Sequence, residues 1–360
     1  ATSYMLLVVS ETIGIIIFLF LAVPLWLIGF SLPVLAWWGT SNKLLGLPTR
    51  RRDAEAWLMA GMASAFPAFI FNSLVAPEIV PFEQQTRGFE LTLLAFWAPI
   101  CEEIFKAMAV AIFFPFIVGP KHGFQVGFTV GLGFALIENF QYIGLSVFGG
   151  PASASFTILV RGIGSIPGHA IWTAISGTAI GWLASDKKLR QRVSLKARSL
   201  AISAIDFAEG VGIDADADGD LSGFDGDRQP SEEGYAGFFH EGGESNSWMI
   251  IGSEGDDKMD NDLKSDIFSS EFILSYGDEY SGKKLAGLLP PRRLIPALLI
   301  SILGHSFWNG SSYISFIAPT EWFGLSPGEG LGVMLLWTLF LISSVLLISR
   351  ALIRGVNSLE

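Results

Sequence analysis

Long apolar runs, broken by short polar turns, set the plan of this chain. Residues 5–38 are largely apolar, with Glu11 near the start and Pro24 and Pro33 inside. Further apolar runs cover about 54–76, 91–118, 123–148, 154–184, 294–319 and 330–349. A helix needs about 20 apolar residues to cross a bilayer core. The pattern therefore predicts an all-α, polytopic transmembrane bundle of about seven spans. The first run is too long for one upright helix. It reads as a helix of roughly 25 residues with an interfacial turn, or as a tight helical hairpin that makes eight spans.

Basic residues orient the bundle. With seven spans, Arg50, Arg51, Arg52, Lys121, the dense run from Lys187 to Arg198, Arg292, Arg293, Arg350 and Arg354 all fall on one side. Glu78, Glu83, the turn at 149–153, Glu321 and Glu329 fall on the other. Cytoplasmic loops carry the excess of Lys and Arg, so the amino terminus is expected outside and the carboxyl terminus in the cytoplasm. The sequence divides into 1–185 (five spans and most of the polar motifs), 186–290 (a basic linker and an acidic insertion) and 291–360 (two spans). Gly123, Gly127 and Gly131 recur every four residues, and Gly177 and Gly181 repeat the spacing. Such stripes let neighbouring helices approach closely.

Composition agrees with a membrane protein. Of 360 residues, 51% are hydrophobic, with 29 Phe and 11 Trp. The formal charge of −11 argues against a nucleic-acid partner, and most of it comes from the insertion at about 206–284. Its Asp, Glu, Gly and Ser content predicts a partly disordered soluble segment exposed to the cytoplasm. Within it Asp214, Asp216, Asp218, Asp220 and Asp225, with Gly219, follow the spacing of a calcium-binding loop. Asp at the last position and the weak helix-forming sequence that follows leave a solvated acidic run as the alternative. The single cysteine, Cys101, excludes an internal disulfide; it reads as a small packing residue rather than a nucleophile. The opening residues carry no basic run of the kind that begins a signal peptide.

The candidate chemistry lies where polar residues interrupt the spans. Glu102, Glu103 and Lys106 sit near the middle of the third run, just after Pro99. A charge at mid-membrane costs about 2.5–3.5 kcal/mol or more and marks a functional site by default. Lys106 is three and four residues from the two glutamates, so it can reach either on one helix face. Pro99 bends the helix before them. Glu138 and Asn139 interrupt the fourth run, Arg161 and His169 the fifth, His305 and Asn309 the sixth. Any one could be a structural interhelical hydrogen bond. Four helices with polar groups at similar depth instead predict one hydrated chamber in the bundle interior. Carboxylate with imidazole suits water activation, and a His and an Asn on one helix face suit oxyanion stabilisation.

Taken together, Glu102-Glu103-x-x-Lys106, Phe134-x-x-x-Glu138-Asn139, the Pro-Gly-His169 segment and His305-x-x-x-Asn309 resemble the PrsW family of intramembrane proteases, related to CAAX prenyl endopeptidases and bacteriocin-processing enzymes. The resemblance implies a membrane-embedded site that hydrolyses peptide bonds of membrane-associated or lipid-anchored substrates. It implies that Glu102 and His169 activate the water, that His305 and Asn309 form the oxyanion hole, and that Glu103 supports them. Glu138 stands where the CAAX branch carries arginine. Lys106, Glu138, Asn139 and Arg161 are expected as supporting residues.

Three functions compete. The favoured one is a metal-free glutamate-type intramembrane protease, which requires no cofactor. A zinc protease using His169, His305 and a glutamate is the second, since that trio suits tetrahedral zinc with an open position. The third is a non-enzymatic carrier that uses the carboxylates as proton or cation sites.

Overall fold

A computed structural model describes residues 29, 31–47, 49–213 and 287–359, and their regular elements are helices. These are α1 (Leu32–Leu45), α2 (Arg51–Ile70), α3 (Ala76–Ile79), α4 (Arg87–Thr92), α5 (Ala98–Ile112), α6 (Pro120–Val147), α7 (Gly150–Val160), α8 (Ile166–Ala184), α9 (Lys187–Gly210), α10 (Leu294–Glu321) and α11 (Pro327–Asn357). The continuous helix Arg51–Ile79, α6 and α11 are long and apolar enough to cross a membrane, so this is an integral membrane protein. Six of the expected apolar runs are helical here. The start of the run at 5–38 and the calcium-spaced residues Asp214, Asp216, Asp218, Asp220 and Asp225 lie outside the described residues.

Local chemistry moves several expected boundaries. The helix entered at Pro33 continues to Leu45 and stops at Gly46, whose φ of 61° is left-handed and open to glycine. Arg87 and Glu90 belong to α4, a short helix ahead of the third apolar run, which the Thr86 hydroxyl caps by accepting from the Phe89 amide. The basic run is a helix, α9, capped by Asp186. Ser326 and Glu329 form a reciprocal capping box at the start of α11.

Three π-helical turns, Phe71–Val75, Leu93–Trp97 and Arg161–Ser165, join α2 to α3, α4 to α5 and α7 to α8. Each runs into a proline at the second position of the next helix: Pro77, Pro99 and Pro167. Proline lacks an N–H and its ring crowds the carbonyl one turn back, and a wider turn relieves the crowding. A carbonyl is then left without its helical donor. Side chains satisfy two of them: the Trp37 indole donates to the Gly162 carbonyl at 3.0 Å, and Asn309 Nδ2 donates to that of Leu94 at 3.3 Å.

The glycine stripe of α6 lies along α8. A Cβ on Gly123 would stand 2.3 Å from the Gly177 carbonyl, on Gly127 2.6 Å from that of Thr173, and on Gly131 2.5 Å from that of His169. Backbone therefore meets backbone for three turns, as small-residue interfaces permit. Across the other face of α6, a Cβ on Gly61 of α2 would meet the Val130 carbonyl at 2.0 Å. This tight α2–α6–α8 layer fixes the depth of His169, and α5 and α10 close over it.

Candidate active site

The polar residues of the spans converge. Glu102, Glu103 and Lys106 come from α5, Glu138 and Asn139 from α6, His169 from α8, and His305 and Asn309 from α10. Glu103 and Lys106 are essentially without solvent contact, at 1% and 0% exposure, and Glu102, His169 and His305 are buried around them.

Hydrogen bonds link all of these residues except Glu102 into one chain. Lys106 Nζ donates to Glu103 Oε1 and also lies 3.2 Å from His169 Nδ1. An ammonium has only protons to offer, so His169 Nδ1 accepts and its Nε2 carries the proton toward Glu138 Oε2 at 2.6 Å. Glu138 also receives Arg161 at 2.6 Å, and Arg161 Nε donates to Asn139 Oδ1. On the other side, His305 Nδ1 donates to Glu103 Oε1 at 3.0 Å, which leaves a lone pair on Nε2. Asn309 Nδ2 approaches that nitrogen at 3.2 Å. Glu102 stands apart: its Oε1 accepts from Asn72 Nδ2 at 3.2 Å, and its buried Oε2 has no donor among the described residues, His305 Nε2 being 3.7 Å away. The two imidazoles meet edge to face, 4.9 Å between centroids.

A small opening reaches these imidazoles, lined by Ser165, Gly168, Trp172 and Trp308 with the two histidines. One ligand atom from each of Glu102, His169 and His305 can be chosen so that all lie within 4.8 Å of one another. Each sequence-selected residue outside the acidic insertion thus joins the cluster. Lys106 takes Glu103 rather than Glu102, and Arg161 reaches Glu138 and Asn139. Cys101 packs against α2, its thiol 4.0 Å from the Ala68 carbonyl. Asn72 was missed. It interrupts the run at 54–76 much as Asn139 interrupts its own, and that was the available signal.

Residues 54–206 match the model of the PrsW family intramembrane metalloprotease. Over that segment, about two fifths of its length, the chain is similar to the PrsW family. It is an intramembrane protease, and so a hydrolase with a peptide substrate in the membrane. The matched PrsW segment holds the Glu102, Glu138 and His169 motifs and Asn72, and it ends before α10 supplies His305 and Asn309. No curated protein and no solved structure matches the chain.

Proposed function

We propose that the protein cleaves peptide bonds of membrane-associated substrates with a water activated by Glu102 and His169. The observation that carries this reading is Glu102 Oε2, a buried carboxylate oxygen with no hydrogen-bond donor among the described residues, beside two imidazoles. A general base needs such a free lone pair within reach of water. Glu103 and Lys106 neutralise each other and hold the two imidazoles from opposite sides: Lys106 against His169, Glu103 against His305. Glu138 orients the far nitrogen of His169. On one face of α10, Asn309 would turn its Nδ2 from His305 to the developing oxyanion, and His305 would join it once Nε2 has taken up a proton. The basic loops support an amino terminus outside and a cytoplasmic carboxyl terminus.

A second reading has its own support. Glu102, His169 and His305 form a donor set that fits a metal with an open coordination position, and the family description names a metalloprotease. Those three residues would hold the ion, which when bound would polarise the scissile carbonyl and acidify water. Glu103, through Nδ1 of His305, would then act as the carboxylate behind a ligating histidine. His169 would have to release Lys106 or Glu138 to offer a lone pair.

The test compares membranes holding wild-type protein with membranes holding Glu102→Gln. Membrane proteins that lose a fragment only with the wild type are substrates. Normal cleavage by Glu102→Gln overturns both readings. Loss of cleavage on chelation, with recovery on adding zinc, selects the second.

A further inference from the structure

The described residues offer Glu102 a single close donor, and that donor comes from outside every motif singled out in the sequence. Asn72 lies in the π-helical turn Phe71–Val75, and its Nδ2 donates to Glu102 Oε1 at 3.2 Å. The other contact of Glu102 is His305 Nε2, 3.7 Å from Oε2, too long for a hydrogen bond. The carboxylate plane is therefore set from the π turn that follows α2, not from the cluster's own members.

The backbone explains why Asn72 can do this. Pro77 stands five residues on and removes the N–H that the Asn72 carbonyl would use in a π turn. The widened turn re-aims the side chains it carries, and single π turns in helices recur at functional sites. Two further π turns among the described residues touch the same cluster: Leu94 accepts from Asn309, and Arg161 donates to Glu138 and Asn139. Both members of the Asn72–Glu102 pair also keep one buried oxygen without a donor among the described residues, Asn72 Oδ1 and Glu102 Oε2. A buried acceptor without a donor costs about 1–3 kcal/mol. Glu103 Oε2 is likewise without a donor among the described residues, so open acceptors surround the imidazoles where water or substrate N–H groups would be taken up.

We infer that Asn72 is a positioning residue of the active site, holding Glu102 so that its free oxygen faces the reacting water. This rests on Glu102 being the reactive carboxylate. The experiment uses full-length protein in proteoliposomes, with the fastest-cleaved member of a quenched-fluorescent library of hydrophobic peptides as the probe. Asn72→Leu keeps the volume and removes the donor; Asn72→Asp keeps the shape and replaces the donor with an acceptor. Both should lower kcat at least about tenfold at unchanged KM, with the wild-type unfolding temperature. In a Glu102→Gln background neither should lower the residual rate further. Wild-type kcat in folded Asn72→Leu overturns the inference, and so does a change confined to KM or a loss that tracks the folded fraction. If Glu102→Gln itself cleaves normally, the reading beneath fails; if only the Asn72 variants do, this inference fails alone.

Discussion

Two networks of carboxylates and cations tie the α4–α5 segment to α10, and they are built from the same chemistry at different depths. At the rim, Arg87 pairs with Glu321 at 2.6 Å and with Glu90 at 3.1 Å, and the Tyr313 hydroxyl donates to Glu90. Arg87 and Glu321 are 52% and 41% exposed as side chains. In the interior, Lys106, Glu103 and His305 are linked in the same manner with side-chain exposures of 0%, 0% and 3%. Water decides what each is worth. Rim groups exchange protein partners for water with little change, so exposed ion pairs contribute little. Interior groups have no such exchange. The buried set need not add stability over an apolar core, yet it cannot lose one member cheaply. The rim clasp can vary freely, whereas the interior network is committed once its first charge is buried.

Breaking the interior network should give the largest effect. Lys106→Met leaves Glu103 buried without its cation and should cost about 3–5 kcal/mol of stability. Thermal unfolding in detergent measures it. The double change Lys106→Met with Glu103→Gln should recover part of the loss while remaining inactive. A milder Lys106→Met than the double variant would mean that the pair is not a unit.

Next come changes that alter chemistry and spare the charge balance. His305→Ala and Asn309→Ala should each lower kcat on the order of 10²–10³ if they donate to an oxyanion. Glu102→Gln and His169→Ala should each cost at least about 10². Residues that act as one unit are not additive, so turnover of the double variants should fall little below that of the worst single variant.

The rim should give the smallest response. Arg87→Ala should leave turnover and unfolding temperature within experimental error. The clasp also has a pH dependence of defined sign. The Tyr313 hydroxyl and the Arg87 guanidinium hold the Glu90 carboxyl below its ordinary value of 4.5. Its contribution is therefore complete above that range and is lost as pH falls through the lowered value. The protection of α4 amides, taken against the unstructured exchange rate at the same pH, should hold through neutral pH and be lost only in acid. Loss of protection already at pH 6 would show that the clasp does not order α4.

Much of the candidate cluster was legible because membrane insertion makes polar residues expensive. Glu102, Glu103, Lys106, Glu138, His169, His305 and Asn309 each interrupt an apolar run, and each is found in the cluster. Asn72 was overlooked because a single asparagine in a span is an ordinary interhelical hydrogen bond, and its neighbour thirty residues away cannot be read from spacing. The pairing within the cluster was illegible for the same reason. Helix geometry allows Lys106 either glutamate; the position of His305 on Glu103 and of Asn72 on Glu102 settles which.

The sequence by itself determined the class and the material of this protein. Apolar runs of spanning length dictate helices in a membrane, the four-residue glycine stripe dictates a close helix pair, and the polar interruptions name most of the site. The tertiary structure decided which stripe meets which. The α6 glycines lie against the α8 backbone at Gly177, Thr173 and His169, which sets the depth of one imidazole. It also decided how each proline is resolved, since a missing N–H can kink a helix or widen a turn. Here it widens three turns, and two of the freed carbonyls are met by Trp37 and Asn309 from other helices. These contacts join residues 125 and 215 positions apart. Short-range pattern carries no information about such pairs, because they exist only once the helices have packed.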